Sequence, residues 1–389
     1  MYNAIIVGAG TSGLACACFC KGKTLLIDKQ SAGKKLSIAG NERVNLTNLA
    51  ELNEFLKAYT PNGEFLRDAF KIFFRDDLIK FIKTLNLDIQ IENNKIFLKN
   101  SNGKILVNKL KNFILDRNIH LHENEKVIKI EKKETFLVHT SKNLYRSKNL
   151  VIATGGLARK KLGASADGYM FAKSFGHTIV APKPFETPFC VKDNLFDNLS
   201  GVSLENVEIK YKNRLFRDNL LFTHFGLSGP VILEASCFVK NGDLISINFL
   251  GKDKGVFLNE IEKAKSIKSF IKYYLPRRFV DNISKKFPFI EKNTNELSKK
   301  NINLAFELLC NYKINVKLCG FDRAFVTKGG INLKEIDPKS CSSKLVDNLF
   351  FCGEILDIAG PIGGFNIQAA FTTGYLVSQK LGNLPFTNI

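Results

Sequence analysis

The chain opens with apolar runs separated by glycines, a pattern that predicts a strand, a helix and a second strand. Tyr2–Val7 is a short apolar run suited to a buried parallel strand, and residues 8–13 form a glycine-rich turn. Residues 14–21 have helical character, and Thr24–Ile27 is the next apolar run. This order is typical of the first unit of a nucleotide-binding α/β fold.

Further along, the spacing of apolar positions changes several times. Residues 64–85 carry an apolar face at helical spacing, which predicts one long helix. Hairpin-like segments follow around 95–107 and 126–139, and 150–153 is another buried strand that stops at a glycine turn.

The second half of the chain predicts a β-rich domain interrupted by helices. Short alternating strands occupy about 185–250, and residues 260–311 are helical and strongly basic. Strands and turns resume near 313, and the last segment supplies a final strand and helix of the first domain. The predicted boundaries are 1–185 and 345–389 for the cofactor domain, 186–250 and 316–344 for the β domain, and 251–315 for the helical insertion.

Composition and charge narrow the class of protein. With 389 residues and 45% apolar composition, the chain can bury the cores of two or three domains. Its formal charge of +20 favours attraction to a polyanion such as RNA. The same excess of lysine, beside abundant Asn, Ile and Phe, also fits the codon bias of an AT-rich genome.

The cysteines and the apolar N-terminus indicate a cytoplasmic protein. The nine cysteines fall into no metal or disulfide spacing, so we expect reduced thiols and no metal. Cys16, Cys18 and Cys20 are predicted to pack a helix on its sheet rather than to bind a metal. The run from Ala4 to Phe19 is broken by glycines and has no basic leader, so it predicts neither a signal peptide nor a membrane span.

The first candidate site is the turn that contains Gly8, Gly10 and Gly13. This G-x-G-x-x-G pattern lies between a strand and a helix, and Asp28 ends the next strand. The glycines allow a pyrophosphate to approach the backbone at the helix start, while Asp28 can hold a ribose hydroxyl. Both FAD and NAD use this pattern.

Two later strand ends favour FAD. The strand at 151–153 ends in Thr154-Gly155-Gly156, and the strand at 349–351 is followed by Gly353-Glu354, whose carboxylate suits ribityl hydroxyls. Residues 360–368 then place Gly363 and Gly364 at the start of a helix. Amide groups and the positive end of a helix dipole there can stabilise negative charge on N1 and O2 of a reduced flavin, although a helix cap without a ligand would have the same sequence.

Several segments together resemble the BaiN/YhiN-like FAD-dependent oxidoreductases along nearly the whole chain. They are residues 33–40, 45–48, 153–156, 167–169, 221–230, 327–330 and 353–366. The resemblance implies an α/β fold in which a Rossmann-type FAD domain of the glutathione-reductase type carries an inserted β-barrel domain with a nested helical domain. Where the family has a cysteine just before Asn45, this chain has Val44, so a thiol role there is excluded.

The resemblance also implies a set of FAD-binding residues. Asn45, Thr47 and Asn366 are expected near the flavin ring, with Gly363 and Gly364 at its pyrimidine end. The full set of predicted cofactor contacts is Gly8, Gly10, Thr11, Ser12, Gly13, Asp28, Lys29, Lys35, Asn45, Thr47, Val127, Thr154, Gly155, Gly353, Glu354, Gly363, Gly364, Phe365 and Asn366.

Family members are linked to reduction of conjugated C=C bonds, in uridine of large-subunit ribosomal RNA and in steroid-like enones. Such a reaction needs a hydride from the flavin and a proton from an acid. His224 is the first candidate acid, with a purely structural histidine as the alternative; Cys190, Cys352 and Tyr169 are weaker candidates. A single G-x-G-x-x-G predicts that NAD(P)H visits only transiently.

Three functions therefore stand as hypotheses. The leading one is a ribosomal RNA dihydrouridine synthase, because the resemblance and the basic charge agree. The second is a reductase or oxidase of a small cytosolic metabolite, such as an enone or an amine. The third is a flavin-bearing RNA-binding or redox-sensing module without turnover.

Overall fold

The computed structural model describes residues 1–40, 42–117 and 119–382. Asn41, in the segment where the resemblance has its cysteine-bearing loop, and residues 383–389 of the predicted last segment lie outside this description. The strands are β1 (Tyr2–Val7), β2 (Thr24–Ile27), β3 (Asn45–Asn48), β4 (Asp88–Glu92), β5 (Lys95–Lys99), β6 (His120–His122), β7 (Val127–Lys132), β8 (Phe136–Thr140), β9 (Leu144–Ile152), β10 (Ile179–Phe185), β11 (Ser203–Tyr211), β12 (Arg214–Thr223), β13 (Gly226–Ser228), β14 (Leu244–Asn248), β15 (Tyr312–Asn315), β16 (Val326–Ile331) and β17 (Leu349–Phe351).

The helices follow the same chain order. They are α1 (Thr11–Phe19), α2 (Leu52–Ala58), α3 (Arg67–Ile72), α4 (Arg75–Thr84), α5 (Gly103–Leu115), α6 (Asp167–Ser174), α7 (Pro230–Ser236), α8 (Lys254–Glu262), α9 (Ile267–Ile271), α10 (Arg277–Lys286), α11 (Lys299–Cys310) and α12 (Phe365–Lys380). Short 3₁₀ helices lie at Leu36–Ile38, Gly63–Leu66, Lys160–Leu162, Asn194–Phe196, Pro288–Glu291, Thr294–Glu296 and Leu333–Glu335.

The chain divides into two compact units. The first joins Met1–Pro184 to Val326–Ile389, and the second is the continuous stretch Phe185–Phe325. The sequence had placed 326–344 in the β domain, but these residues belong to the first unit. The reason is pairing, because β16 forms a two-stranded sheet with β10.

The first unit is built on a parallel sheet whose strands have the order β6-β2-β1-β9. The end of β9 also pairs in parallel with β17, while its beginning pairs with β8 in the antiparallel β7-β8 hairpin. The central strands are apolar runs because parallel strands are covered on both faces. The carboxyl ends of β1, β2, β9 and β17 are thereby brought to the same edge of the sheet.

Helices α1 and α12 pack together in the first unit. A side chain at Gly374 would place its Cβ 2.6 Å from the Ser12 carbonyl oxygen, so glycine lets α12 approach α1 closely. Cys16, Cys18 and Cys20 are fully buried in this layer, which confirms their packing role. Because α12 comes from the C-terminal segment and α1 from the N-terminal one, the two ends of the chain share one core.

Two sequence predictions in this unit are wrong in detail. The single helix expected over 64–85 is divided between α3 and α4, because Phe73 and Phe74 have extended backbone. Residues 95–107 supply β5 and then the start of α5 rather than a hairpin, since Asn102 caps a helix by accepting a hydrogen bond from the Ile105 N–H. The hairpin predicted at 126–139 is present as β7 and β8.

The second unit is an antiparallel sheet in the order β13-β12-β11-β14-β15. Phe189 closes this sheet into a barrel, because it pairs with Leu227 of β13 on one side and with Leu318, just beyond β15, on the other. Closure leaves the sheet without an exposed edge along this seam. Helices α8 to α11 are inserted between β14 and β15 and share the barrel's apolar core.

A disulfide joins Cys190 to Cys319 beside this seam. The expectation that all nine cysteines are reduced thiols is therefore wrong for this pair, and the other seven form no disulfide in the described chain. The sequence spacing could not indicate the bond, because its partners are 129 residues apart and meet only when the barrel closes. Among the described residues, no helix combines the length and apolar content needed to cross a membrane.

Candidate dinucleotide-binding site

The three glycines of the turn after β1 differ in what surrounds each of them. Gly8 has φ of +103°, and a Cβ there would lie 2.6 Å from the Ala153 carbonyl oxygen. A Cβ at Gly13 would lie 1.8 Å from the carbonyl oxygen of Gly8. A Cβ at Gly10 would meet no described atom within 4 Å, so packing does not explain this glycine. The open space at Gly10 leaves room for a pyrophosphate to approach the backbone.

The start of α1 offers amide groups to such a ligand. Gly10 is the N-cap residue and supplies no side-chain cap, so the first N–H groups of the helix are available for an anion. The Ser12 hydroxyl donates to the Cys352 carbonyl oxygen at 3.2 Å. Ser12 therefore ties α1 to the end of β17, and its hydroxyl proton is used in this contact.

Asp28 holds the glycine turn in place at the end of β2. Its carboxylate accepts hydrogen bonds from the N–H groups of Ala9, at 2.7 Å, and Gln30, at 2.8 Å. Burial raises the pKa of Asp28, although these two N–H groups and the charge of Lys29 act in the opposite direction. Each oxygen keeps a lone pair that can accept a ribose hydroxyl.

Lys29 and Val127 lie beside this end of the sheet. The Lys29 ammonium is 3.2 Å from the Asp167 carboxylate and also bonds Ser165, so it positions the start of α6. Val127 is buried at the beginning of β7, two residues after Glu125, whose N–H donates to the Asp28 carbonyl oxygen. The structure thus brings both predicted residues to the region of Asp28.

The end of β9 forms a second open turn. Gly155 has φ of +70°, and a Cβ there would meet no described atom within 4 Å. The neighbouring Thr154 hydroxyl is buried and has no hydrogen-bond partner among the described residues. An unsatisfied buried hydroxyl costs about 1–3 kcal/mol, so a polar ligand group at this position would stabilise the turn.

Thr327 on β16 fixes this turn, a role that reasoning from sequence did not assign to it. Its hydroxyl oxygen accepts from the N–H groups of Leu157, at 2.8 Å, and Ala158, at 3.1 Å. A Cβ at Gly156 would lie only 2.4 Å from that oxygen. The sequence signal was present in the segment at 327–330, but no local pattern indicated its partner.

Glu354 connects three parts of the site after β17. One carboxylate oxygen accepts from the Lys35 ammonium at 3.0 Å, and the other accepts from the Thr327 N–H at 2.8 Å. The preceding Gly353 has φ of +78° and donates its N–H to the Thr373 hydroxyl on α12. Lys35 and Glu354, both predicted as cofactor contacts, are therefore an ion pair at the sheet edge.

The loop before α12 meets β3, and this contact brings several predicted residues together. The Asn45 amide oxygen accepts from the Gly364 N–H at 3.0 Å, and the Asn48 amide donates to the Gly363 carbonyl oxygen at 3.0 Å. A Cβ at Gly364 would lie 2.4 Å from the Thr47 carbonyl oxygen. Glycine is required here because the two backbones touch.

Asn366 and Phe365 shape the same loop. Both polar atoms of the Asn366 side chain bond Gly360, accepting from its N–H at 2.9 Å and donating to its carbonyl oxygen at 2.7 Å. The Phe365 ring packs on Phe55, and its carbonyl oxygen accepts from the Tyr59 hydroxyl at 2.6 Å. Asn366 thus positions the loop, and its amide keeps one N–H and one oxygen lone pair beyond these two bonds.

The residues at these edges fit FAD. Gly10 and Gly155 leave the backbone open, and the buried hydroxyl of Thr47 has no hydrogen-bond partner among the described residues. Thr47 lies against Gly364, where the resemblance places the flavin's pyrimidine end. The Gly364 N–H at the start of α12 is already donated to the Asn45 amide oxygen, so this contact fixes the loop, and the positive end of the α12 dipole is what remains to act on a bound ring.

The candidate acids differ in their surroundings. His224 is exposed in the two-residue turn between β12 and β13, and it has no hydrogen-bond partner among the described residues. Cys190 is in the disulfide, so it has no thiol proton to give. Burial raises the pKa of Cys352 to about 12. Burial, followed by the charges of Glu354 and Asp357, also raises the pKa of Tyr169, whose buried hydroxyl has no partner in the described chain.

The first unit has a parallel sheet with an open glycine turn after its first strand and an acid after its second, and its final helix starts at a glycine. These features are those of a Rossmann-type FAD-dependent oxidoreductase. The chain belongs to the family described as HI0933-like protein Rossmann domain, whose model matches residues 2–380.

Named relatives match over their full length. The chain is 29% identical to the ribosomal RNA dihydrouridine synthase of Escherichia coli (strain K12), covering 98% of both chains. It is 27% identical to the 3-dehydro-bile acid delta(4,6)-reductase of Clostridium scindens, covering 98% of this chain and 99% of the relative. A solved 3-ketosteroid-delta4-(5alpha)-dehydrogenase from Rhodococcus jostii RHA1 has the same fold, with a TM-score of 0.54 at 11% identity over 98% of this chain and 97% of that one.

Proposed function

We propose that this protein reduces uridine to dihydrouridine in large-subunit ribosomal RNA. The observation that carries the proposal is the similarity to two ribosomal RNA dihydrouridine synthases, from E. coli and Haemophilus influenzae, at 29% and 26% identity with at least 97% of every chain covered. Such coverage includes both units, so the relatives share the cofactor domain together with the inserted one.

In the proposed reaction, uridine gains a hydride and a proton across its conjugated C=C bond, while NAD(P)H is oxidised to NAD(P)⁺. Bound FAD would supply the hydride-transfer chemistry between NAD(P)H and the base. The chain's own residues would hold this cofactor: the α1 amides would bind the pyrophosphate, Asp28 would bind the ribose, and the positive end of the α12 dipole would stabilise negative charge.

We assign delivery of the proton to His224. Imidazole is the side chain that exchanges a proton most readily near neutral pH, and this one is exposed and not committed to another described group. The buried Tyr169 phenol and Cys352 thiol, with their raised pKa values, hold their protons more tightly. The Val44 side chain is fully buried beside Asn45 and has no proton to contribute.

The charge distribution suits an RNA substrate. The first unit carries 35 Lys and Arg against 21 Asp and Glu, and the second carries 22 against 16. Both units therefore have an excess of cations that can neutralise phosphates. The basic helices that the sequence singled out account for only part of this excess.

The test is mass spectrometry of nucleosides from large-subunit ribosomal RNA of parent and deletion strains. We expect dihydrouridine in the parent, its loss in the deletion strain, and its return when the wild-type gene is restored. If the histidine is a general acid, a gene encoding His224→Gln should form dihydrouridine about 10²–10⁴-fold more slowly than the wild-type gene does. A gene encoding Tyr169→Phe should form dihydrouridine at the wild-type rate. Dihydrouridine that persists unchanged in the deletion strain, or is absent from the parent, would refute the proposal.

A second candidate, reduction of a small enone, is favoured by the full-length relative named as a bile-acid reductase. Purified protein that turns over a free enone with NAD(P)H, and leaves ribosomal RNA unmodified, would support this candidate. A flavin that NAD(P)H cannot reduce and that exchanges electrons with no acceptor would instead indicate a module without turnover.

A further inference from the structure

The second unit exposes an aromatic and basic corner between α9 and α10. Its residues, 272–278, read Lys-Tyr-Tyr-Leu-Pro-Arg-Arg, and we call this segment the tyrosine–arginine corner. Leu275 and the following Phe279 are buried and anchor the corner in the core of the unit. The exposed side chains are therefore presented from a fixed backbone.

The two tyrosines are unusually exposed for aromatic residues. Tyr273 is 87% exposed and Tyr274 is 50% exposed. Large aromatic rings are among the side chains that gain most free energy from burial. The exposed Tyr273 ring contributes little to the core, so packing does not explain it. A flat surface of this kind is suited to stacking against a nucleobase.

The cations around the tyrosines are available for phosphates. Lys272 is exposed, and the Arg277 side chain is 93% exposed with only a weak contact to Asp281 at 3.5 Å. Arg278 donates to the Ser200 carbonyl oxygen at 3.1 Å, which orients its guanidinium group. The two arginines lie in the first turn of α10, where cations oppose the helix dipole, and only Arg277 contacts an acidic residue of the described chain, Asp281 of the next turn.

A cavity of about 240 Å³ lies against the tyrosines. Both rings line it together with Leu275, Pro276 and two residues of β11, Ser203 and Glu205. It is smaller than the roughly 300–1,000 Å³ of a drug-sized ligand site. The space therefore suits one flat ring rather than an entire metabolite.

The basic surface continues beyond Tyr274. The Lys252 ammonium is 4.3 Å from the centre of the Tyr274 ring, and Lys252 also lines a second cavity of about 480 Å³. Lys210, Arg217 and Lys254 line that cavity, while its carboxylates, Glu208 and Asp253, already accept hydrogen bonds within the unit. Lys252 and Arg217 are paired with Glu260 and Glu208, so Lys210 and Lys254 are the exposed cations of this cavity that remain for phosphates.

We propose that the tyrosine–arginine corner binds single-stranded RNA, with a base stacked on Tyr273 and the flanking phosphates held by Lys272, Arg277 and Arg278. The proposal rests on the proposed function and names the surface that would hold the substrate's flanking nucleotides. A membrane surface is a poorer match, because Leu275, the corner's aliphatic side chain, is buried and cannot insert into lipid.

The test measures binding of a fluorescent single-stranded oligoribonucleotide to the full-length protein by anisotropy at several salt concentrations. Tyr273→Ala should weaken binding by about 5- to 100-fold, as expected for loss of one stacked base, while Tyr273→Phe keeps the ring and the affinity. The double variant Arg277→Ala, Arg278→Ala should reduce the slope of log affinity against log salt by about 1.4. All of these positions are exposed, so thermal unfolding should be unchanged.

Lys285→Ala is the matched control, since Lys285 is an exposed cation about 12 Å away on the same helix. The proposal is overturned if Tyr273→Ala binds like Tyr273→Phe, if the arginine variant behaves like Lys285→Ala, or if the substitutions weaken binding to anionic phospholipid vesicles instead. If dihydrouridine persists in the deletion strain while RNA binding depends on Tyr273, the proposed reaction is refuted and RNA binding at the tyrosine–arginine corner is supported. If Tyr273→Ala modifies ribosomal RNA and binds the oligoribonucleotide normally, the proposed role of the tyrosine–arginine corner is refuted and the proposed reaction is not.

Discussion

At the scale of single residues, the glycine motif shows how identical residues can have different causes. The pattern at 8–13 predicted a dinucleotide site, and the structure confirms the strand and helix on either side of it. Packing requires Gly8 and Gly13, whereas packing places no demand on Gly10 at the start of α1. The sequence could not separate these reasons, because they depend on how close Ala153 and Gly8 come to each Cβ position.

Gly10→Ala should therefore affect cofactor binding, whereas Gly13→Ala should affect stability. Gly10 has φ of −74°, which alanine adopts readily, so its substitution should leave the melting temperature of the apoprotein within about 2 °C and weaken FAD binding. Gly13→Ala forces a 1.8 Å contact and should prevent folding or reduce stability by more than about 3 kcal/mol. Melting curves and the flavin absorbance per chain measure both effects. FAD bound as tightly by Gly10→Ala as by the wild type would contradict this explanation.

His177 gives a pH dependence that the sequence did not suggest. It is buried, its ring nitrogens bond Glu335 at 3.1 Å and Ser343 at 2.8 Å, and burial lowers its pKa although the Glu335 charge opposes this. The unfolded chain therefore binds a proton at higher pH than the folded chain does. Stability is complete above the ordinary histidine pKa of about 6.5 and is lost as the pH falls below it.

We expect the melting temperature to fall between pH 7.5 and 5.5 and to fall less in His177→Gln. That variant should also lose about 1–3 kcal/mol at pH 7.5, because buried partners lose their hydrogen bonds. The pKa of Glu335 is lowered by hydrogen bonds from Thr178 and His177 that outweigh its burial, so Glu335 affects stability in a separate window near and below pH 4.5. Equal pH profiles for the two proteins would exclude His177 as the cause.

At the scale of elements, the contacts that complete each unit join segments far apart in sequence. Strand β17 and helix α12 return to β9 and α1, and Phe189 joins β13 to the segment after β15. Local periodicity predicted the buried strands well, because each one is a continuous apolar run. It failed at α5 and between α3 and α4, where a cap at Asn102 and the extended Phe73 decide the boundaries.

The disulfide provides a prediction at this scale. Without reductant, unfolded protein should show seven reactive thiols, and nine after reduction. Cys319→Ser should lower the free energy of unfolding by about 2–4 kcal/mol, since a crosslink over a long loop restricts the unfolded chain.

The same comparison in a strong reductant is the control for this disulfide prediction. There, Cys319→Ser and the wild type should melt together, because neither has the crosslink. Nine reactive thiols in unfolded, unreduced protein would show that the bond does not form.

At the scale of the whole molecule, the chain consists of two cores that share no residue. The sequence predicted an inserted β-rich domain with helices inside it, and the strands and helices of the second unit have that order. It misplaced 326–344, because the pairing of β16 with β10 leaves no local signal. The substrate and the acid stay predictions, because both depend on side chains contributed by separate segments.

We expect residues 185–325, expressed alone, to fold cooperatively. This stretch is continuous, has its own apolar core and is closed by contacts at Phe189 that lie within it. The fragment should show a sigmoidal thermal transition and well-dispersed amide resonances, and it should bind no FAD. A fragment that remains unfolded while the intact chain melts cooperatively would show that its stability depends on the rest of the protein.

The pairing of α12 with α1 sets an order of events during translation. Every residue of the inserted unit is synthesised before β17 and α12 are, so the first 184 residues must wait for their closing strand and helix while another domain is made. The flavin site is completed only by the last segment of the chain, and the cofactor is therefore acquired after synthesis rather than during it.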